Sequence, residues 1–273
     1  MLRRLLVGLL VLSACHGTAR RPAGQAAQRI VSLLPSFTEI LFDIGAGDRV
    51  VGRTQWCDYP PAALAVPSVG DGVPPNIEAV LARRPDLVVL YNSGANVTAA
   101  KQFERIGVRA VLIDLNRLRD LGAATRELGE LTGQFARADS LANVLDSIAG
   151  QTPPTATTSV AFIVWDNPPI VIGRGSYLDQ IAAAAGARNV FNDIDAPSAQ
   201  VSLETIVERN PDWIAVLSDS GGGAMPAFAK KPEWRAIRAV RERHFLLLKG
   251  SVFGRPGPRS GQAIAELKAM LAK

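Results

Sequence analysis

Asn76 to Leu90 reads NIEAVLARRPDLVVL, and the chain says nearly the same thing again from Ser202 to Leu217, SLETIVERNPDWIAVL. Aligned without a gap, Glu78 falls on Glu204, Pro85 on Pro211 and Asp86 on Asp212, each pair 126 positions apart. In each copy, apolar residues at helical spacing (Ile77, Val80, Leu81; Leu203, Ile206, Val207) lead to a Pro-Asp break and then an apolar run. A run without polar alternation suits a parallel strand covered on both faces. The phrase therefore predicts a helix-strand unit used twice.

A second echo extends the repeat. Glu39 to Ala46, followed by Val50, resembles Asp179 to Ala187, followed by Val190: in both, a helix is ended by Gly and leads into a strand. Two related α/β halves follow, and 273 residues are enough to give each its own core. Between them, residues from Asn116 to Ala149 read as helical with a break near Thr132-Gly133. Leu141, Val144, Leu145 and Ile148 form one apolar stripe on the second piece.

The N-terminus is of another kind. Arg3-Arg4, the apolar run Leu5 to Leu12 and the small residues before Cys15 describe a secretory signal, and Leu12-Ser13-Ala14-Cys15 resembles a bacterial lipobox. On that pattern residues 1–15 are a signal peptide with its lipobox cysteine, Cys15 carries lipid, and 16–28 are a flexible tether. No later stretch approaches the apolar length needed to span a bilayer. Cys57 then stands alone, either buried as a small hydrophobe or free as a thiol. The net charge of +5 is spread along the chain, with no basic block dense enough for nucleic acid.

Material for common catalytic sites is scarce. The chain has two histidines, His16 and His244, the first in the tether, which leaves nothing for a His-based metal site or a Ser-His-Asp triad. Gly173-Arg174-Gly175 lacks the third glycine of a dinucleotide loop. Glu78 and Glu204, in equivalent places on opposite halves, read as a symmetric pair of surface marks. Aromatics instead gather at strand ends and in loops: Trp56, Tyr91, Trp165 and Phe253, with Arg255 and Arg259 close to the last. These residues can line a cleft between the halves, where parallel α/β sheets place their ligands. Tyr59, beside Pro60-Pro61, and Trp213, inside a strand, read as core aromatics.

From Arg29 onward the chain resembles the periplasmic binding proteins of ABC importers that have a helical backbone, a group that binds vitamin B12, siderophores and haem. The resemblance is carried by Ile30 to Glu39 (IVSLLPSFTE), Asp58-Tyr59-Pro60-Pro61, Asn76-Ile77-Glu78, Arg84 to Val88 and Val201 to Glu204. It implies two Rossmann-like lobes, 29–132 and 153–273, joined by a single long rigid helix over 133–152, with the ligand in the cleft. It also implies a monomeric, exported receptor at the periplasm or cell surface, with no enzyme activity, no cofactor and no metal beyond that in its ligand. Trp56, Tyr91 and the Phe253 to Arg255 loop match corrin-contacting positions, and Trp165 joins them from the second lobe. Glu78 and Glu204 match the glutamates that pair with permease arginines, and the remaining partner is the permease's ATPase. Two departures stand out: Gly72 replaces a Trp, and no aromatic lies near Ser198. The expected ligand is cobalamin or another corrinoid. A ferric siderophore or haem is the alternative, and an enzyme or redox protein using Cys57 is the remote one.

Overall fold

A computed structural model of the chain describes residues 25–217 and 225–272. The signal, Cys15, most of the tether and the Gly221 to Gly223 loop lie outside those residues. In chain order the first lobe contains β1 (Ile30–Ser32), α1 (Pro35–Asp43), β2 (Val50–Arg53), α2 (Ile77–Leu81), β3 (Leu87–Tyr91), α3 (Gly94–Arg105) and β4 (Arg109–Ile113). Helices α4 (Asp120–Thr132) and α5 (Phe135–Ala149) follow. The second lobe holds β5 (Thr158–Asp166), β6 (Pro169–Ile172), α6 (Tyr177–Ala184), β7 (Ala187–Asn189), β8 (Ser198–Gln200), α7 (Leu203–Arg209) and β9 (Trp213–Leu217). It ends with α8 (Arg238–Arg241), β10 (Phe245–Leu248), α9 (Gly250–Phe253) and α10 (Ser260–Leu271).

The first sheet runs β2-β1-β3-β4 and is parallel throughout. In the second, β10-β9-β5 is parallel, β7 adds to β5 in the same sense, and β6 and β8 are antiparallel. Both copies of the repeated phrase become what their residues predict, with β3 beside β1 and β9 beside β5. Leu87 to Leu90 are fully buried, as a strand covered on both faces requires.

The repeated Pro-Asp has a specific task. Asp86 accepts the backbone N–H groups of Gln28 (3.0 Å) and Arg29 (3.0 Å), and Asp212 accepts that of Ser159 (2.8 Å) and its hydroxyl (2.6 Å). Each aspartate thus satisfies donors at the start of its lobe's central strand. The residue before each proline, Arg84 (φ 50) or Asn210 (φ 41), is left-handed, and this turns the chain from helix into strand. Asn adopts that region at lower cost than Arg. Arg84→Asn, at an exposed side chain, is expected to stabilise the protein by about 0.5–1 kcal/mol. The check is a higher urea midpoint at unchanged m-value.

The helix expected over 133–152 is α5, Phe135–Ala149, and it packs back against α4. Gly133, left-handed at φ 70, caps α4, and α5 turns back along it for 15 residues, about 22 Å. Close approach explains two glycines of α4. A Cβ on Gly122 would lie 1.9 Å from Asp146 Oδ1, and one on Gly129 would lie 2.3 Å from Ala138 Cβ. Arg126 of α4 ties the pair further by donating to Asp146 (2.8 Å) and Asn143 (2.8 Å) of α5.

The two lobes share one apolar core. Phe37, Ile40 and Leu41 of α1 belong to the same buried cluster as Leu178 and Ile181 of α6, Phe253 of α9 and Leu267 of α10. Swinging the lobes apart would return that surface to water at about 25 cal/mol per Å².

Candidate functional site

Because the first sheet is parallel, the segments that follow its strands emerge along one edge, and these include Trp56, Tyr91 and Asn116. In the second sheet the end of β5 with Trp165, and the 249–259 segment after β10, share the corresponding edge. The two edges meet. Asp58, after β2, is ion-paired with Arg255, after β10. Further along, the Leu118 backbone N–H donates to Gln180 Oε1 of α6 at 2.7 Å. Loops that follow the strands of the two lobes therefore meet at a seam at the strands' carboxyl ends, where α/β folds bind ligands.

Each aromatic is held by its polar end and offers its apolar body. Trp56 is 59% exposed, and its indole N–H donates to Asp71 Oδ1 (2.8 Å), which also accepts from the Gln55 amide (2.7 Å). Trp165 is 61% exposed, and its indole N–H donates to the Asn167 carbonyl in the β5–β6 turn (2.8 Å). The half-buried Tyr91 donates its hydroxyl to Asn116 Oδ1 at 2.6 Å. Rings fixed in this way lose little freedom on covering a ligand.

Three expectations change here. Phe253 is fully buried inside the shared core, so it packs beneath the seam and offers no face to a ligand. Tyr59, expected in the core, is 38% exposed, with the Arg259 guanidinium 4.0 Å from its ring centroid. Trp213 is half-buried and stacks on His244, centroids 4.8 Å apart.

Gly72, where the family resemblance calls for a Trp, is buried. A Cβ there would sit 2.2 Å from the Leu33 carbonyl oxygen at the end of β1. The missing aromatic thus reflects a closer backbone path, into which no side chain fits. Cys57 is fully buried and unpaired, with Thr38 Oγ1 and Thr54 Oγ1 each 3.1 Å from its sulfur, a satisfied small polar cluster behind Trp56.

Arg255 is on the edge but engaged by Asp58. Burial opposes the charge of Asp58, yet the hydrogen bond and charge of Arg255 outweigh it and hold the carboxyl below its ordinary value. Beside this pair lies a buried one. Arg259 donates through Nε (2.9 Å) and Nη2 (2.6 Å) to the two oxygens of Glu39, which is 2% exposed. Burial raises the Glu39 carboxyl above its usual range despite Arg259. Tyr177, which donates to Ser260 Oγ at 3.1 Å, is pushed by burial to about 12. Sequence reading did not find Asp58, Asp71 or Glu39, because their partners lie 15 to 220 positions away.

Glu78 and Glu204 occupy the same place on the two lobes. Each is exposed in the first turn of its helix, behind a side-chain cap: Asn76 Oδ1 accepts from Ala79 N (3.0 Å) and Ser202 Oγ from Thr205 N (3.2 Å). Glu204's own backbone N–H and the Ser202 hydroxyl hold its carboxyl below the usual range. Both carboxylates favour the positive end of a helix. Among the described residues, no group of three or more His, Cys, Asp or Glu is arranged to hold a metal ion, and no helix is long and apolar enough to cross a membrane.

Two α/β lobes meeting at their strands' carboxyl edges, with fixed aromatics on both sides of the seam, define a receptor for a small molecule. The family model for periplasmic binding proteins matches residues 30–252, and the chain belongs to that family of substrate-binding components of ABC importers. It is 28% identical to the vitamin B12-binding protein of Pectobacterium carotovorum, over 93% of this chain and 89% of that one. It is 30% identical to the ABC transporter substrate-binding lipoprotein YvrC of Bacillus subtilis, itself uncharacterized, over 88% of this chain and 78% of that one. Among solved structures, the apo form of the periplasmic heme-binding protein RhuT from Roseiflexus superposes with TM-score 0.77 at 27% identity, covering 90% of this chain and 98% of that one.

Proposed function

We propose that this receptor captures a metal-bearing macrocycle or chelate between its lobes, cobalamin or another corrinoid before any other, and delivers it to an ABC permease and its ATPase. The observation that carries the reading is the pair of tryptophans, 59% and 61% exposed, one on each lobe and each tied by its indole N–H. Covering each exposed indole contributes on the order of 3 kcal/mol, so a flat apolar ligand that reaches both gains most. Similarity to the Pectobacterium B12-binding protein along 93% of the chain supports a corrinoid over a ferric siderophore or haem. The chain acts as a monomer, exported and anchored through a lipid on Cys15, with 16–28 as its tether. Trp56, Tyr91 and Trp165 contact the ligand, and Glu78 and Glu204 meet the permease.

The test is a titration of the chain lacking residues 1–15 with cyanocobalamin, followed by tryptophan fluorescence and calorimetry. One-to-one binding at micromolar affinity or better is expected. Silence toward corrinoids, with binding of haemin or a ferric hydroxamate, would reassign the ligand to that class.

A further inference from the structure

Among the described residues, two ion pairs cross from one lobe to the other, and they differ in kind. Glu39–Arg259 is sealed: the carboxylate is 2% exposed and the Arg259 side chain 15%. That guanidinium donates through Nε and Nη2 to both Glu39 oxygens and the Ser251 carbonyl, and its face lies over the Tyr59 ring. Asp58–Arg255 is open. The arginine side chain is 18% exposed, but its carboxylate partner is 48% exposed, on the loop that also presents Trp56. Both guanidinium Nη atoms turn toward the two Asp58 oxygens, Nη2 at 3.3 Å from Oδ2. A fork held in this way matches any carboxylate or phosphate of similar shape. The half-exposed carboxylate is the exchangeable member, because a ligand anion can reach its place while Arg255 stays anchored.

We propose that Asp58 is an internal stand-in for the ligand: its carboxylate holds Arg255 in the free protein and gives way to an anionic group of the captured chelate. Resting on the function proposed above, this narrows the ligand class to macrocycles or chelates that carry a carboxylate or phosphate. Neutral chelates of the same shape cannot displace Asp58 and gain nothing from Arg255. Specificity then comes from a competition built into the cleft, in addition to the aromatic surfaces.

The experiment uses the chain lacking residues 1–15 and two matched pairs of probes. Cyanocobalamin is set against dicyanocobinamide, the corrinoid without the phosphodiester and the nucleoside it carries, and haemin against its dimethyl ester. For whichever pair the wild type binds, Asp58→Asn is expected to tighten the anion-bearing member about three- to tenfold and to leave the other within about twofold. Arg255→Gln should erase the difference between the two members. Equal shifts for both members, or weaker binding of the anionic one, would overturn the inference and leave Asp58 as a latch alone. A wild type that binds none of the four probes would remove corrinoids and haems from the functional reading, and this inference with them. The Asp58→Asn melting temperature, expected to stay within a few degrees of wild type, guards against misfolding.

Discussion

Reversing Glu78 and Glu204 together to lysine is expected to abolish uptake through the permease while leaving ligand affinity within about twofold of wild type. The two carboxylates are exposed on separate lobes, each in the first turn of a capped helix, and neither lies among the aromatics of the seam. An exposed carboxylate-arginine pair contributes about 0.2–1 kcal/mol, enough to orient a docking partner and still allow release. Replacing attraction by like-charge contact at both lobes changes the balance by several kcal/mol, whereas one reversal leaves the other lobe able to dock. Lysine at the positive end of a helix also costs about 0.3–1 kcal/mol of stability per site, so a modest fall in melting temperature should accompany the double variant. Transport in vesicles and calorimetric affinity, measured on the same preparation, separate the roles. Loss of affinity would place these residues in ligand binding and remove them from docking.

The same two sites show how much is legible in the sequence. The repeat at constant offset announces two α/β halves and, from spacing alone, puts Glu78 and Glu204 in equivalent positions. Its aspartate is readable as a mark but not as a task, since Asp86 and Asp212 act on strand starts 57 and 53 positions away. Trp56, Tyr91 and Trp165 are readable because strand ends are where a parallel sheet exposes its aromatics. Phe253 is misread for the converse reason: two positions before Arg255, it is the last residue of a short helix, α9, and packs into the core. The break at Gly133 is visible in the sequence, but its consequence is not. A helix that stops and one that doubles back on α4 share that signal, and the close approach at Gly122 and Gly129 decides between them. The cross-lobe pairs are beyond reach, because a sequence cannot say which arginine meets which carboxylate about 200 positions away.

Beside α5, the shared apolar core and the sealed Glu39–Arg259 pair join the lobes, and the pair carries the largest stability effect expected. Glu39→Ala should cost about 3–5 kcal/mol, because it leaves the Arg259 guanidinium, 15% exposed, without its carboxylate inside the seam. Arg259→Met should cost a similar amount by stranding the carboxylate, softened by protonation of Glu39. The double variant Glu39→Leu/Arg259→Met should recover most of the loss, since two apolar side chains of similar volume carry no desolvation penalty. Urea unfolding of the wild type, Glu39→Leu, Arg259→Met and the double variant closes the cycle and gives the coupling energy directly. The pH dependence carries an independent sign. Burial raises the Glu39 carboxyl, so the folded state binds its proton more tightly than the unfolded state does, and this group's contribution to stability falls as pH rises from about 4.5 through the raised value. That slope should vanish in every variant lacking Glu39. If the double variant is stable yet binds ligand weakly, the pair serves to set the angle between the lobes rather than to hold them together. If it is stable and binds normally, the shared apolar core alone fixes the cleft.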